Sequence, residues 1–281
     1  CSFDDKSGIW KNSNTIDSKK KDRFQDFETL NTKEKSFNKI ILPNKNLDLL
    51  LDPVKANTKW SDEFYQGSNN FDNFEYKNLN EIIFKSKKLS NHQIKDKILF
   101  DGRNIIATDI KGNIFVYSIN KKDIIYKYNF YQKKFKKIKK NLNIIIDANI
   151  IYVSDNLGYL YALDYKNKKL SWAKNLKIPF RSNIKIYGNT IITADQNNIL
   201  QIFNKFNGTQ LKFIPTEETT IKNDFINSLA LYKNTLIYLN TFGSLYSINS
   251  KNFKINWFAN FKQSLDLNPT NLFYSNPVIV S

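Results

Sequence analysis

The sequence has few residues of several kinds, and each shortage excludes a class of site. It contains no methionine, one cysteine (Cys1) and one histidine (His92). A single cysteine excludes an internal disulfide framework and a multi-cysteine metal site, and a single histidine excludes a multi-histidine site. No apolar run approaches the ~18 residues that a membrane-spanning helix needs. We therefore expect no metal site and no integral helical membrane protein.

Arginine is also scarce: of the 43 basic residues, only Arg23, Arg103 and Arg181 are arginines. With 26 acidic residues the formal net charge is +17, and such a charge suggests nucleic acid as a first partner. Recognition of phosphate or guanine usually relies on the planar guanidinium, however. The lysines are also spread along the whole chain. We interpret them as solvated surface residues, with an anionic surface as the alternative partner, and expect no nucleic-acid binding.

What is present indicates a folded protein. The chain has 281 residues, of which 41% are hydrophobic and 15% aromatic. This composition is too apolar for a disordered chain, and the length suffices for one large domain or two small ones.

The first residue, Cys1, predicts a lipid anchor. A translated chain begins with methionine, and a cysteine at position 1 is where signal peptidase II leaves a lipoprotein. We therefore expect acyl chains on Cys1, which hold a protein at a membrane through ~0.8 kcal/mol per buried methylene. Residues 1–58 are rich in Lys, Asn and Asp without a sustained period of 2 or 3.6. They predict a lipid-anchored polar tether, which leaves residues 59–281 as the folded body.

Four segments of fifteen residues repeat along that body. They are 112–126, 158–172, 198–212 and 243–257, and their starts are 46, 40 and 45 residues apart. Each follows two further short runs of β-branched and aromatic residues, so that one unit reads as four strands joined by Gly, Asn and Lys turns. Four strands at this period are typical of a β-propeller blade. We predict an all-β fold with blades near 98–126, 144–172, 184–212 and 229–257, and a partial blade at 275–281.

The repeat positions predict structural roles. The first position is Gly112, Gly158, Asn198 or Gly243, residues that accept a positive φ in a hairpin turn. The fifteenth is Tyr126, Trp172 or Trp257 in three copies, and we predict that these aromatics pack against a neighbouring blade. Lys212 breaks this position in the third copy, where the adjacent Phe213 is the expected substitute.

The second copy, GYLYALDYKNKKLSW, resembles the PQQ-like repeat, whose usual form is G-x-L-Y-A-L-D-x-x-T-G-x-x-x-W. The usual Thr-Gly turn survives only as Asn207-Gly208. Neither a Trp-Asp dipeptide nor a Gly-His pair marks the repeats, so they do not resemble WD40. With Cys1, the tether and the segment from Asn57 to Gly67, the chain resembles the BamB family of lipoproteins. That family has eight blades, so the resemblance implies that four to five blades are present here and that the chain is truncated.

The resemblance implies a function without catalysis. BamB proteins are scaffold lipoproteins of the outer-membrane β-barrel assembly machinery. They bind its POTRA-bearing pore protein, and unfolded outer-membrane proteins are further expected partners. The implied location is the periplasmic face of the outer membrane of a Gram-negative bacterium, with the membrane bound through Cys1. The alternative is another propeller lipoprotein that binds envelope proteins or glycans.

A PQQ-dependent quinoprotein is the least favoured alternative. Such enzymes hold the quinone near calcium bound by Glu, Asn and Asp, and many have a vicinal cysteine pair. This chain has no such pair and no acidic cluster at a recognisable spacing. His92 alone, in a polar context, makes a catalytic triad implausible. We expect no enzyme activity, no catalytic residue and no cofactor.

Connections between repeats supply the candidate binding residues, because blade loops are free of the packing that fixes strands. Arg181, Glu217 and Glu218 lie in two of these loops, and Leu265, Asp266 and Leu267 lie in a third. The resemblance implies pore-protein contact for such leucines and acids, with a solvated connection as the alternative. Residues 133–140 hold six lysines and form either a solvated loop or a contact for anionic lipid or acidic protein.

Overall fold

The computed structural model describes residues 2–4, 9–11, 53–56, 59–75, 82, 85–218, 224–261 and 276–281. By its internal contacts the chain divides into two units, Cys1–Asp48 and Leu49–Ser281. In the first unit, β1 (Ser2–Asp4) and β2 (Ile9–Lys11) pair antiparallel, with Phe3 opposite Trp10. The predicted tether thus contains a short two-stranded sheet, and its residues 12–52 lie outside the described part of the chain. Among the described residues no helix is long and apolar enough to cross a bilayer.

The second unit contains four sheets, each of four antiparallel strands in chain order. We number these sheets as blades 1 to 4. Blade 1 comprises β3 (Leu99–Phe100), β4 (Asn104–Thr108), β5 (Asn113–Ser118) and β6 (Asp123–Asn129). Blade 2 comprises β7 (Leu142–Asp147), β8 (Ile150–Asp155), β9 (Tyr159–Asp164) and β10 (Lys169–Asn175). Blade 3 comprises β11 (Lys185–Tyr187), β12 (Thr190–Ala194), β13 (Leu200–Asn204) and β14 (Gln210–Ile214). Blade 4 comprises β15 (Ser228–Tyr232), β16 (Thr235–Leu239), β17 (Ser244–Asn249) and β18 (Ile255–Asn260).

This architecture confirms the predicted fold class and the four repeats. The only helical element among the described residues is a single 3₁₀ turn, Lys133–Phe135, in the connection between blades 1 and 2. β-Branched and aromatic residues fill the strands because they pack well on a pleated, buried surface.

The hydrophobic core lies between the blades in three layers. One cluster joins blades 1 and 2 and includes Val116 and Val153; a second joins blades 2 and 3 and includes Trp172 and Phe203. The third joins blades 3 and 4. Each internal blade is therefore buried on both faces, which explains why its strands read as nearly continuous apolar runs.

Backbone geometry repeats at the same positions in every blade. The first position has positive φ in all four copies, as predicted: 83° at Gly112, 87° at Gly158, 64° at Asn198 and 78° at Gly243. The eleventh position also has positive φ in all four: Lys122, Lys168, Gly208 and Phe253. The fourteenth position is a β-bulge in all four, where the pairing of the third and fourth strands shifts by one residue. A bulge redirects the next side chain, so the backbone presents the fifteenth side chain in a similar way in every copy.

In the first three copies that fifteenth residue contacts the following blade. Tyr126 is buried in the layer shared with blade 2, and Trp172 donates from Nε1 to the carbonyl oxygen of Lys205 in blade 3, at 2.9 Å. Lys212 makes the equivalent contact itself, because its Nζ lies 3.3 Å from the carbonyl oxygen of Asn252 in blade 4. The expectation that Phe213 substitutes for it was wrong, since Phe213 is exposed.

The prediction of a core position was also wrong for Trp257, which is 50% exposed. Its strand, β18, is the last of blade 4, and no further blade follows it among the described residues. The side chain that would be covered by a following blade therefore faces solvent. Tyr126 and Trp172, each 9% exposed, confirm the prediction for the first two copies.

Residues 60–70, here called the crossing segment, run across the first strand of every blade. Trp60 exchanges two backbone hydrogen bonds with Phe100 of blade 1, and Ser61 O accepts from Ile146 N of blade 2. Gly67 O accepts from Leu231 N of blade 4 at 2.7 Å. A Cβ on Gly67 would lie only 3.0 Å from Leu231 O, so a side chain there would crowd this approach. The segment thus pairs strand edges that would otherwise be open.

The segment at 276–281 lies beside blade 4. Val278 N donates to Ser228 Oγ at 2.8 Å, and Val280 N donates to Ser68 O at 3.0 Å. It occupies the place expected of a further first strand, although it forms no strand of its own in the structure.

Candidate functional site: the inter-blade loop face

Two kinds of connection share one end of each blade. In a four-stranded antiparallel sheet, the turn between strands two and three emerges at the same end as the connection to the next blade. We call this end the loop face. The first and third hairpin turns of every blade emerge at the opposite end, here called the turn face.

A buried Asp or Asn caps the hairpin turn of every blade on the loop face. In each turn one side-chain oxygen accepts hydrogen bonds from the backbone N–H groups two and four residues further on. The distances are 2.9 and 3.0 Å for Asp109, 2.8 and 2.8 Å for Asp155, 2.9 and 3.1 Å for Asp195, and 3.0 and 3.0 Å for Asn240. Asx side chains favour turns because they satisfy backbone donors in this way. The loop face therefore rests on four rigid turns.

Desolvation acts on the three buried carboxyls of this set. Burial raises the pKa of Asp155 and of Asp195 above the ordinary value, although hydrogen bonds from Tyr131 and Gln201 oppose it. Burial acts in the same direction on Asp109, but hydrogen bonds from Ser90 and Asn113 prevail and lower its pKa. Asn240 accepts the equivalent two backbone hydrogen bonds without carrying a charge, so we assign all four side chains a structural role.

The inter-blade loops are anchored on these turns. Lys140 N donates to Ile110 O at 2.9 Å, and Phe180 N donates to Asp155 O at 2.9 Å. Asn227 Nδ2 donates to Asp195 O at 3.1 Å. Each loop is thus tied to the turn of the preceding blade before the chain enters the next one.

Of the predicted binding residues, Glu217 and Glu218 lie in the loop between blades 3 and 4, and both are exposed. Asn198 Nδ2 donates to Glu217 O at 3.1 Å, and Asn240 Nδ2 donates to the Glu217 carboxylate at 3.2 Å. The charge of Glu218 contributes to the raised pKa of Asp195, after burial. Glu217 is therefore held in place, whereas the Glu218 carboxylate is presented to solvent.

Arg181 lies in the loop between blades 2 and 3 and already has a partner within the chain. Its guanidinium lies 3.0 Å from the carboxylate of Asp224, and its side chain is 13% exposed. Its backbone oxygen accepts from Asn227 N at 2.7 Å. The structure thus joins the Arg181 loop to the loop that carries Glu217 and Glu218, and the Arg181 side chain, predicted to contact a partner, is mostly buried and already paired within the chain.

The lysine-rich loop at 133–140 is ordered around aromatic rings. Phe135 packs edge-on against Tyr131 and Tyr159, with ring centroids 6.5 and 6.1 Å away. Lys140 is buried and donates from Nζ to Phe135 O at 2.5 Å. The other five lysines are exposed, as is Ile138. The loop face therefore carries a basic surface at blades 1 and 2 and an acidic one at blades 3 and 4.

Other predicted residues fall elsewhere. Leu265, Asp266 and Leu267 lie outside the described residues, as does Cys1. His92 is exposed, consistent with a surface loop. Among the residues that the structure describes, no group of three or more His, Cys, Asp or Glu side chains could hold a metal ion.

Sequence reasoning missed the four turn caps. Their signal was present, because an Asp or Asn stands three residues before the first position of each repeat: Asp109, Asp155, Asp195 and Asn240.

Comparisons with known proteins agree with this architecture. No family model and no curated protein matches the sequence. Among solved structures, quinohemoprotein alcohol dehydrogenase from Comamonas testosteroni is 9% identical, with a TM-score of 0.59, over 72% of this chain and 41% of that one. The chain forms blades of a β-propeller. BamB from Moraxella catarrhalis is 15% identical, with a TM-score of 0.47, over 56% of this chain and 46% of that one.

These likenesses concern the fold of the propeller. The chain covers less than half the length of both solved structures. What this propeller does must therefore be argued from its own surfaces.

Proposed function

We propose that this propeller is a non-catalytic scaffold of the outer-membrane β-barrel assembly machinery. It binds the POTRA-bearing pore protein through the loop face, and a lipid on Cys1 holds it at the periplasmic side of the outer membrane. Unfolded outer-membrane proteins are further clients in this proposal. The PQQ-like repeats and Cys1 support the choice of machinery.

The observation that carries the binding role is the exposed acidic loop between blades 3 and 4. Asn198 holds the backbone oxygen of Glu217, while the Glu218 carboxylate reaches solvent beside a rigid turn. A loop whose backbone is already held at this point loses less conformational freedom when it meets a partner. Charged groups at such positions set specificity and association rate.

The test measures binding of the full chain to the POTRA domains of the pore protein. Glu218→Lys should weaken binding, on the order of tenfold or more if the residue is a hot spot. Asp123→Lys is the matched control, because it makes the same change of charge at an exposed position on the turn face. Binding that is unaltered by Glu218→Lys, or equally altered by Asp123→Lys, would contradict the proposed surface.

The proposed leucine contact and the anchor have their own tests. Leu265→Ala with Leu267→Ala should weaken the same binding while the protein remains folded. Mass spectrometry of protein from membranes should find acyl chains on Cys1, and an unmodified cysteine would refute the anchor. Co-purification in mild detergent without any POTRA-bearing protein would favour the alternative, a propeller that binds other envelope components.

A further inference from the structure

A cleft with a cavity volume of about 1120 Å³ opens between blades 1 and 2 on the turn face. It is distinct from the loop face, where the proposed partner binds. Four turns form its walls: the first and third hairpin turns of blade 1, and the first and third hairpin turns of blade 2. The residue that precedes the crossing segment, Lys59, lies at its margin.

Basic side chains from four separate parts of the chain line this cleft. They are Lys59, Arg103, Lys121, Lys166 and Lys168. None of the five forms a salt bridge within the described residues. Arg103 is also the only arginine at the turn face among the described residues, in a chain with three arginines.

The two carboxylates in the cleft, Asp101 and Asp123, cancel only part of this charge. Asp101 already accepts hydrogen bonds from Arg103 N at 2.7 Å, from the Asn104 backbone N–H at 2.6 Å and from Tyr165 OH at 2.6 Å. These hydrogen bonds hold the Asp101 carboxylate in place and join the first hairpin turn of blade 1 to Tyr165 of blade 2. Asp123 caps its own strand through Ile124 N at 2.8 Å. Five cations facing two acids leave a net charge of +3 (5 − 2) in the cleft.

We propose that this cleft binds a ligand that carries two or more phosphate groups. The cations stand on both walls, so a ligand that bridges them satisfies more of them than one small anion does. The cleft volume of about 1120 Å³ slightly exceeds the ~300–1,000 Å³ that is typical of small-molecule sites, so it has room for a ligand far larger than a phosphate ion. Phosphate matches the guanidinium of Arg103 in a bidentate manner and the lysines as point charges.

Isothermal titration of the full chain tests the proposal with tripolyphosphate as the probe and inorganic phosphate as the comparison. Tripolyphosphate should bind at one site, much more tightly than inorganic phosphate, and the affinity should fall as salt is added. Arg103→Gln with Lys166→Gln should weaken it about tenfold. These side chains are exposed, so circular dichroism should show an unchanged fold.

Lys134→Gln with Lys137→Gln is the matched control, because it removes two exposed lysines from the loop face. It should change the affinity by about twofold or less. Equal weakening by both double variants would show attraction by the overall charge and overturn the site. Failure of tripolyphosphate to bind, or binding no tighter than that of inorganic phosphate, would overturn it as well.

Phosphate groups can come from a soluble compound or from a lipid headgroup, and a second arm separates these sources. The full chain is sedimented with vesicles of phosphatidylcholine containing cardiolipin, which has two phosphates in each headgroup. Sedimentation that depends on Arg103 and Lys166 identifies a lipid-borne ligand. Tripolyphosphate binding without such sedimentation identifies a soluble one. Neither arm involves the pore protein, so failure here leaves the proposed scaffold function untouched.

Discussion

The ammonium group of Lys185 lies 2.7 Å from a carboxylate oxygen of Asp62, and both side chains are almost completely buried. The same ammonium donates to Asn69 Oδ1 at 2.6 Å and to Gln66 O at 3.2 Å. Burial lowers the pKa of Lys185 and raises that of Asp62, because desolvation outweighs the attraction between them. This pair fastens the crossing segment to blade 3.

Replacing one member of the Lys185–Asp62 pair should therefore lower the free energy of unfolding more than replacing both. Lys185→Met leaves the Asp62 carboxylate buried without a counter-charge, and we expect a loss of about 3–5 kcal/mol in the free energy of unfolding. Lys185→Met with Asp62→Asn should recover a large part of that loss. Neither position then carries a charge, and the side-chain amide oxygen of the double variant can still accept from Phe64 N, as the carboxylate does. Urea unfolding of the three proteins measures this.

The pair of Lys205 and Asp147, 2.9 Å apart with side chains 17% and 42% exposed, is much less buried and provides the control. Lys205→Met should cost under about 1 kcal/mol. Equal losses from Lys185→Met and Lys205→Met would show that the crossing segment is not held by its buried charges.

A second prediction compares two tryptophans at the same repeat position. Trp172 packs on blade 3, where a Cβ added to Gly208 would lie 2.4 Å from its ring. Trp172→Ala should cost about 3–5 kcal/mol because it leaves a cavity between two blades. Trp257→Ala removes an exposed ring and should cost under about 1 kcal/mol. Thermal unfolding compares them, and similar losses would contradict the inter-blade role of the fifteenth position.

The sequence was sufficient to predict the blades because each strand is short, apolar and bounded by turn residues. The positive φ of Gly112, Gly158 and Gly243 also followed from residue type. The exposure of Trp257 could not be predicted, because its environment depends on a neighbouring sheet and not on its own repeat. Lys212 likewise replaces an aromatic by reaching backbone oxygens of the next blade, a contact that no residue pattern reveals.

The candidate site was predicted less completely than the fold. The loops carrying Arg181 and Glu218 were located from the spacing of the repeats. The Asp224 partner of Arg181 was missed, since it lies 43 residues further along the chain (224 − 181). The cleft between blades 1 and 2 is formed by turns that are distant in sequence. The crossing segment, which precedes blade 1 in the chain, pairs with strands as far along the chain as blade 4. Such non-local arrangements are fixed by packing and leave no local signal.

A third prediction concerns the turn before the fourth strand of blade 1. Lys122 has a φ of 53°, whereas the equivalent position of blade 3 is Gly208, with a φ of 68°. A side chain in this left-handed region costs about 1–2 kcal/mol, which exceeds the entropic disadvantage of glycine. Lys122→Gly should therefore stabilise the protein by about 0.5–1 kcal/mol.

Lys121→Gly, one residue earlier and also exposed, is the control for that substitution. Its φ is not positive, so it should destabilise by about 0.5–1 kcal/mol through backbone entropy. If chemical denaturation finds both variants destabilised alike, the strain at the eleventh position is absent.

The last prediction concerns pH. Burial lowers the pKa of Lys95 to about 8, although the charge of Glu63 opposes the shift and that of Lys97 adds to it. Its ammonium also donates to Asn141 Oδ1 and, at 3.1 Å, to Leu142 O. Below pH 8 Lys95 is protonated in both the folded and the unfolded protein, so no proton is exchanged on unfolding.

Between pH 8 and the ordinary lysine pKa of 10.5, the unfolded state binds more protons than the folded state, so stability from this group rises with pH. Relative to Lys95→Met, the wild-type protein should therefore gain about 2 kcal/mol over this interval. Urea unfolding at a series of pH values measures the difference between the two proteins, in which the titration of the other lysines cancels. Lys121→Met, which removes an exposed lysine from blade 1, serves as the control. A difference between wild type and Lys95→Met that stays constant across the interval would show that Lys95 titrates as an ordinary exposed lysine.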